Sequence, residues 1–434
     1  MKNKFKFLSA SLTVIALVLG SVGVSGLVSQ AAESNSAHAG NPYRVIVTFE
    51  DPVNESAREA LENKGGKILK ELPLVDGAVV LLPDEAMVPG VGTLAGVKRV
   101  EPDARVLALH HREGHNGGPG GGSDPTPEPT PDPQSLEWGV DRIDAELAWG
   151  TSRGAAVKVA VVDTGIDQDH ADLVGNLKGG VNFVSKGPRK PADPNNWNDD
   201  NGHGTHVAGI IAASDNTFGV VGVAPEAYLY AVKVLDRNGS GYTSDVIEGI
   251  TWAMNNDIDV VNMSLGTTSD IQALHDAVDA AYAAGVVLVA AAGNSGDGDG
   301  TTNEISYPAK YSSVIAVAAT ASDDSTPYWS SEGAEVELAA PGVSIRSTWN
   351  DGSYYTISGT SMASPHVAGT VVLILGTAIP VAYDTDSDGV WDPVEVRANL
   401  IATADDVNGD GFDNFYGYGL VDAEESITGN QTNP

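Results

Sequence analysis

Beyond residue 134 the sequence predicts an α/β fold: a doubly wound, mostly parallel sheet with helices on both faces, preceded by a small α+β unit of ferredoxin-like type. Three observations carry this. The runs AVKVAVVD, AYLYAVKVL, DVVNMSLG, VVLVAAAGN, SVIAVAA and VELAAPG are short and predominantly apolar, as strands buried on both faces are. Segments of helical period separate them, among them SDVIEGITWAMNN and SDIQALHDAVDAAYAAG; each opens on a Ser/Asp cap signal, and the second places Ile271, Leu274 and Val278 at helical spacing. Ahead of them, residues 41–109 run strand (YRVIVTFE), helix (SAREALENKGG), two strands (GKILKELPLVDGAVVLLP) and a last segment ending KRVEPDARVLAL, an order that suits a compact α+β unit.

Length and composition set the bounds. A chain of 434 residues with 42% hydrophobic content has room for a large core and an accessory domain. Its formal net charge of -34 repels phosphate backbones, excludes nucleic acid as the expected partner and suits bound cations. There is no cysteine, so neither disulfides nor thiol chemistry are available.

In chain order, Lys2, Lys4 and Lys6 precede an apolar run over 7–28, and Ser29-Gln30-Ala31 offers small residues for cleavage. Residues 1–31 are expected to be a secretory signal and the protein to be secreted; glycines at 20, 23 and 26 interrupt the run, so no stable membrane anchor is expected. The unit over 41–109 follows. Residues 110–133 contain HNGGPGGGSDPTPEPTPDP, glycine-rich and then alternating proline with polar residues, which reads as a linker. The large domain spans 134–427.

Doubly wound sheets place their sites at the carboxyl ends of strands, and three apolar runs end in Asp163, Ser264 and Asn294. Asp163 closes VKVAVV and begins DTGID, a position that holds its carboxylate partly desolvated and in want of a donor. His203, in NGHGTHVAG just ahead of a helical run, is an available partner, and its glycine flanks allow close approach. Ser361, in GTSMASPHVAG, sits at a helix start where free N–H groups and the positive end of the helix dipole favour an oxyanion. Together they make a mechanism: Ser361 as nucleophile, His203 as general base and Asp163 as its orienting acid, with the Ser361 N–H and the Asn294 amide as oxyanion donors.

The blocks DTGID, HGTHVAG, AAGN and GTSMASPHVAG, in that order, resemble the signature blocks of the subtilisin-like serine proteases, and the likeness runs over nearly all of the chain from Gln134 to Ile427. It implies a serine endopeptidase acting on protein or peptide substrates. It assigns Asp163, His203, Ser361 and Asn294 the roles just given. It implies that Gly239-Ser240-Gly241 and Ser264-Leu265-Gly266 hold an extended peptide as an added strand. The pocket for the residue before the scissile bond is then lined by Ser264, Leu265, Gly266, Ala292 and Gly293, with Ser295 and Ser306 at its polar edge; no charge faces it, so broad specificity biased to large apolar residues is expected. The leading unit resembles an intramolecular chaperone and inhibitor whose end, VEPDARVLAL, places self-cleavage near Leu109 or His110. The long linker departs from the simplest family members.

Two stretches suggest structural calcium. The stretch SDNTFGVVG resembles the family's high-affinity loop, with Asn216, the carbonyls of Ser214, Phe218 and Val220, Asp172 and Gln134 as ligands. Independently, DTDSDGVWDPVE at 384–395 has the spacing of an EF-hand loop, with Asp384, Asp386, Asp388, the Val390 carbonyl, Asp392 and Glu395 as ligands. A further acidic loop, DDVNGDGFDN, lacks the terminal glutamate. With no disulfides, calcium would brace the fold. The alternative reading is a catalytically silent calcium-binding adhesion or binding protein on the same fold, though a scaffold has no need of all four catalytic residues. An esterase on an α/β sheet is a third, and a monomer is the default.

Overall fold

In the computed structural model, which describes residues 42–110, 133–185, 187, 191–409 and 411–429, all six apolar runs form strands of one parallel sheet. The expected signal segment and linker residues 111–132 lie outside the described residues.

The leading unit is β1 (Tyr43–Phe49), α1 (Glu55–Asn63), β2 (Lys67–Leu72), β3 (Gly77–Leu82), α2 (Val88–Gly92), β4 (Val97–Pro102) and β5 (Arg105–Ala108). Its antiparallel sheet, in the order β2-β3-β1-β4, is ferredoxin-like. α1 starts where the Asn54 side chain accepts the N–H of Ala57 at 3.0 Å. Val45, Val47, Leu61, Val80 and Leu82 fill its own small core. β5 leaves this sheet altogether.

The large domain continues with α3 (Trp138–Arg142), α4 (Ala145–Ala148), β6 (Lys158–Asp163), β7 (Leu177–Asn182), α5 (His203–Ala212), β8 (Tyr228–Lys233), β9 (Ser240–Tyr242), α6 (Thr243–Asn255), β10 (Val260–Met263), β11 (Leu265–Gly266), α7 (Gln272–Ala283) and β12 (Val287–Ala291). Then come β13 (Ile315–Thr320), β14 (Val336–Pro341), the hairpin β15 (Ile345–Thr348) and β16 (Tyr354–Ile357), α8 (Thr360–Leu375), α9 (Pro393–Ala402) and α10 (Ala423–Thr428). The sheet order is β14-β13-β12-β10-β6-β8-β7. Its reversals of direction mark the doubly wound pattern. β7 escapes the sequence reading because LKGGVN is neither continuously apolar nor alternating.

Period-two alternation along β6 explains the layering. Val159 and Val161 face a core shared with α5 and α8, while Ala160 and Val162 face one shared with α6 and α7. α8 is buried along residues 360–374, which fits a sequence apolar or small on every side. Ile46, Leu72, Val75 and Val79 of the leading unit join the second core, so that unit packs over α6 and α7. No helix among the described residues is long and apolar enough to cross a membrane.

Candidate active site

Asp163 is the last residue of β6 and His203 the first of α5. Both are buried, and His203 Nδ1–H donates to Asp163 at 2.8 and 2.9 Å to its two oxygens. Asp163 also accepts the N–H of Thr164 at 2.7 Å. A carboxylate fixed on Nδ1 leaves Nε2 as the acceptor of the neutral ring, and His203 Nε2 has no hydrogen-bond partner. The flanking glycines serve packing rather than substrate approach. Gly202 has φ 114°, and a Cβ there would meet the Trp349 ring at 2.2 Å; one on Gly204 would meet the Gly165 carbonyl at 2.2 Å. Asp199 holds the turn into α5, accepting the N–H groups of Asn201, Gly202 and Thr205 and the Thr205 hydroxyl at 2.7 to 3.0 Å. The acidic NDDNG before the helix was the available signal for that residue.

Ser361 is the second residue of α8. Pro365 removes the N–H that would bond the Ser361 carbonyl, and the Ser264 hydroxyl donates to that carbonyl at 2.8 Å instead. Ser264 is in turn held by Asn262, whose Nδ2 donates to its Oγ at 3.0 Å, and Asn262 Oδ1 accepts the Ser364 hydroxyl at 2.7 Å. The Ser361 hydroxyl donates to the Ser264 carbonyl at 2.9 Å, not to His203. Asn294 follows β12, and its Oδ1 accepts the N–H and hydroxyl of Thr360 at 3.0 and 2.9 Å. That pair fixes the amide, leaving Asn294 Nδ2 buried and without a partner. Sequence reading missed the part played by Thr360, because only the fold brings it to Asn294.

β5 lies as the middle strand between β11 and β9, antiparallel to both. Ala108 N–H donates to the Gly239 carbonyl at 2.9 Å, Leu109 N–H to the Ser264 carbonyl at 3.2 Å, and Leu107 pairs with Ser240 and Gly266. The two glycine-serine segments named from the sequence therefore hold an extended chain, which is this protein's own residues 105–109. The Leu109 carbonyl accepts the N–H of Ser361 at 3.3 Å. The Leu109 side chain packs where a Cβ on Gly266 would come within 2.9 Å of it, beside Ser306, and the His110 ring lies 5.7 Å from that of His203. Ser264, Leu265 and Ala292 are fully buried and uncharged behind this wall.

Two carboxylates fix the approach. Asp103 accepts the N–H and hydroxyl of Ser244 at 2.9 Å at the start of α6, and Glu101 accepts the N–H groups of Gln272 and Ala273 at 2.7 and 3.2 Å at the start of α7. Both sit at positive helix termini. Lys70 bridges Asp245 and Glu248 of α6; burial pulls its pKa down, and the two carboxylates outweigh that and hold it above the usual lysine value.

The residues named for calcium are partly gathered. Asp172, fully buried, accepts Asn216 Nδ2 at 2.6 Å, Val220 N–H at 3.1 Å and the Tyr354 hydroxyl at 2.7 Å, and Ser214 N–H donates to its carbonyl at 2.9 Å. Gln134 Oε1 accepts the N–H of Asn216, and Asn216 Oδ1 that of Phe218 at 2.8 Å. Among the described residues no cation pairs with the buried Asp172 carboxylate. A buried carboxylate without a counter-cation is a ligand of the kind calcium takes, and here three N–H and O–H donors face it. In the second loop, Asp384, Asp386 and Asp388 each bring a carboxylate oxygen within 4.8 Å of the others, and Val390 N–H donates to Asp388 at 2.7 Å. Asp392 and Glu395 instead form a capping box on α9, which Pro393 starts, while Glu395 Oε1 reaches back to the Thr385 N–H at 2.7 Å. Three of the acidic positions thus converge, and Asp392 is committed to the helix end.

Residues 154–419 match the family model described as "Subtilase family". The chain is 38% identical to Subtilisin E of Bacillus subtilis (strain 168) over 424 residues, covering 96% of this chain and 98% of that protein. It is 49% identical to Subtilisin DY of Bacillus licheniformis over 293 residues, 67% of this chain and 98% of the relative, and 44% identical to Subtilisin Savinase of Lederbergia lenta over 292 residues, with the same coverage.

Proposed function

The chain belongs to the subtilase family and is a serine endopeptidase of that family; from that premise we propose a secreted enzyme, made as a precursor whose leading unit occupies its own active site. The observation that carries this reading is the seating of Leu109, its carbonyl on the Ser361 N–H and its strand between the two peptide-holding segments.

The proposed chemistry uses Ser361, His203, Asp163 and Asn294 in turn. The Ser361 hydroxyl turns from the Ser264 carbonyl, gives its proton to His203 Nε2, and its oxygen bonds to the Leu109 carbonyl carbon. Negative charge gathers on the carbonyl oxygen, where the Ser361 N–H and Asn294 Nδ2 donate, while Asp163 stabilises the imidazolium. Collapse breaks the bond to the His110 nitrogen, which takes the proton from His203, leaving Leu109 as an ester on Ser361. Water, losing a proton to His203, adds to that ester, and Ser361 leaves with the proton. The same steps act on other peptides once the leading unit has gone. The uncharged wall around Leu109 supports broad specificity biased to large apolar residues before the scissile bond.

Structural calcium belongs to this proposal. Asp172, Asn216, Gln134 and the carbonyls of Ser214, Phe218 and Val220 would hold one ion, and Asp384, Asp386, Asp388 and the Val390 carbonyl a second, with Asp392 and Glu395 kept on the start of α9. A bound ion supplies charge compensation and ties loops together; the peptide chemistry stays with the residues above. The expected signal at 1–31 supports secretion, and a monomer suffices for the site.

Expression of the precursor with and without Ser361→Ala tests the reading. The unsubstituted chain should convert to a species beginning at or after His110 and then hydrolyse casein. Processing and hydrolysis that continue undiminished in the Ser361→Ala chain would overturn it.

A further inference from the structure

Immediately after Asn294 the chain enters the loop GDGDGTTNE, residues 296–304, which neither the catalytic reading nor the two calcium loops involve. Asp297 and Asp299 on this loop and Glu332 on the segment before β14 each present a carboxylate oxygen, all within 4.8 Å of one another. Asp297 and Asp299 are exposed, whereas Glu332 is only 1% exposed and forms the floor. Glu332 Oε1 accepts the N–H groups of Gly298 and Asp297 at 2.8 and 3.3 Å. Glu332 Oε2 is buried and has no hydrogen-bond partner, and among the described residues no lysine, arginine or histidine pairs with any of the three. A fourth carboxylate lies beside them: Glu304 N–H donates to the Glu332 carbonyl at 3.2 Å, and Glu304 Oε2 is likewise buried without a partner.

The Glu332 carboxylate approaches two more carboxylates, keeps one buried oxygen with no donor and has no counter-charge, so it lacks what normally offsets its desolvation. A hard divalent cation supplies it. Two oxygens on one calcium ion stand at most roughly 5 Å apart, twice the calcium–oxygen distance of about 2.4 Å, and the separations here fit that limit. The donors are all oxygen, the exposed pair leaves an entry path from solvent, and the glycine-spaced loop can adjust to an irregular coordination shell.

We propose that Asp297, Asp299 and Glu332 form a further calcium-type cation site, one that braces the wall of the specificity pocket. The link to the pocket is short. Ser331, next to Glu332, donates its N–H to the Gly293 carbonyl at 2.9 Å, and its Oγ accepts the N–H of Ser295 at 3.1 Å. A cation joining the 297–299 turn to Glu332 therefore ties both ends of the segment that carries Gly293, Asn294 and Ser295.

The test uses the full precursor carrying Ser361→Ala, which excludes autolysis, with calcium itself as the probe. Bound calcium per chain is measured by elemental analysis after equilibrium dialysis, for this protein and for the same protein with Asp299→Asn, Asp297→Asn or Glu332→Gln added. Each added substitution should remove one equivalent of calcium, leaving the number held elsewhere unchanged. An unchanged calcium count in all three would overturn the proposal. Should Glu332→Gln fail to fold, Asp299→Asn, on the exposed rim, decides alone. The melting temperature gives an independent readout. In excess calcium the substituted proteins should melt lower than the parent, and in excess chelator the difference should vanish. A Glu332→Gln protein that melts higher than the parent in both conditions would mark Glu332 as a buried acid without a cation and sink the site.

Discussion

The Leu109 carbonyl accepts a hydrogen bond from the backbone N–H of Ser361 at 3.3 Å, so the leading unit ends on the atom that a nucleophile at Ser361 would attack. The 109–110 bond is the expected first cleavage. Mass spectrometry of the processed protein should find it cut there, and Leu109→Asp should slow this step by at least about tenfold because an unpaired carboxylate would enter an uncharged wall. Leu109→Phe should be tolerated. Equal rates for the aspartate and phenylalanine precursors would remove the pocket from the account.

Asn294 has its Oδ1 fixed on Thr360 and its Nδ2 unpartnered, an arrangement that holds a donor ready for developing charge. Asn294→Ala should lower the first-order rate of precursor cleavage by about 10²–10³, the usual loss for an oxyanion donor. Asp163→Asn, by favouring the wrong tautomer of His203, should cost about 10⁴. A larger loss for Asn294→Ala than for Asp163→Asn would contradict these roles.

Glu101 and Asp103 each cap a helix of the large domain from the leading unit. A carboxylate at a helix N-terminus contributes about 1 kcal/mol, up to about 2 where partly buried, so Glu101→Gln and Asp103→Asn should each hasten release of the cleaved unit by roughly fivefold to thirtyfold. The lag before protease activity appears measures this. An unchanged lag in the double variant would show that apolar packing alone holds the unit.

Calcium binding at the 214–222 and 384–395 loops predicts a chelator effect. Saturation at about a hundred times Kd contributes about 2.7 kcal/mol, which for a domain of this size is a drop of roughly 5–10 °C in melting temperature on chelation. Asp386→Asn, on an exposed loop, should abolish only part of that drop. Identical melting curves with and without chelator would leave both loops as acidic turns.

Asp422 gives the pH dependence. Burial, reinforced by Asp405 and Glu425, pushes its pKa up to about 7, while the Glu425 N–H it caps pulls the other way. Its folded pKa is thus raised above the unfolded value of about 4. The stability it contributes is fully present below pH 4 and lost as pH rises through about 7. Asp422→Asn keeps the helix cap and removes the charge. Its melting temperature should match the parent near pH 4 and exceed it at pH 8. The same difference at both pH values would rule this out.

Much of this was legible in the chain itself. Continuous apolar runs such as VKVAVVD identify strands buried on both faces, because only the interior of a parallel sheet takes residues with no polar side. Their polar ends located Asp163, Ser264 and Asn294, since the strand period and the sheet's topology put such ends at the site edge. β7 was not legible, because LKGGVN depends on its neighbours for strand geometry and carries no pattern of its own.

What the chain alone determined, then, is the local chemistry: which strands are buried, which residues sit at their ends, and where oxygen donors recur with a ligand's spacing. Tertiary structure decided what meets. Thr360 reaches Asn294, the Ser264 hydroxyl takes the carbonyl that Pro365 leaves unbonded, Asp392 caps a helix, and Glu332 joins Asp297 and Asp299 across more than thirty residues. Those pairings depend on distances set by packing two helical layers on one sheet, and no spacing along the sequence encodes them.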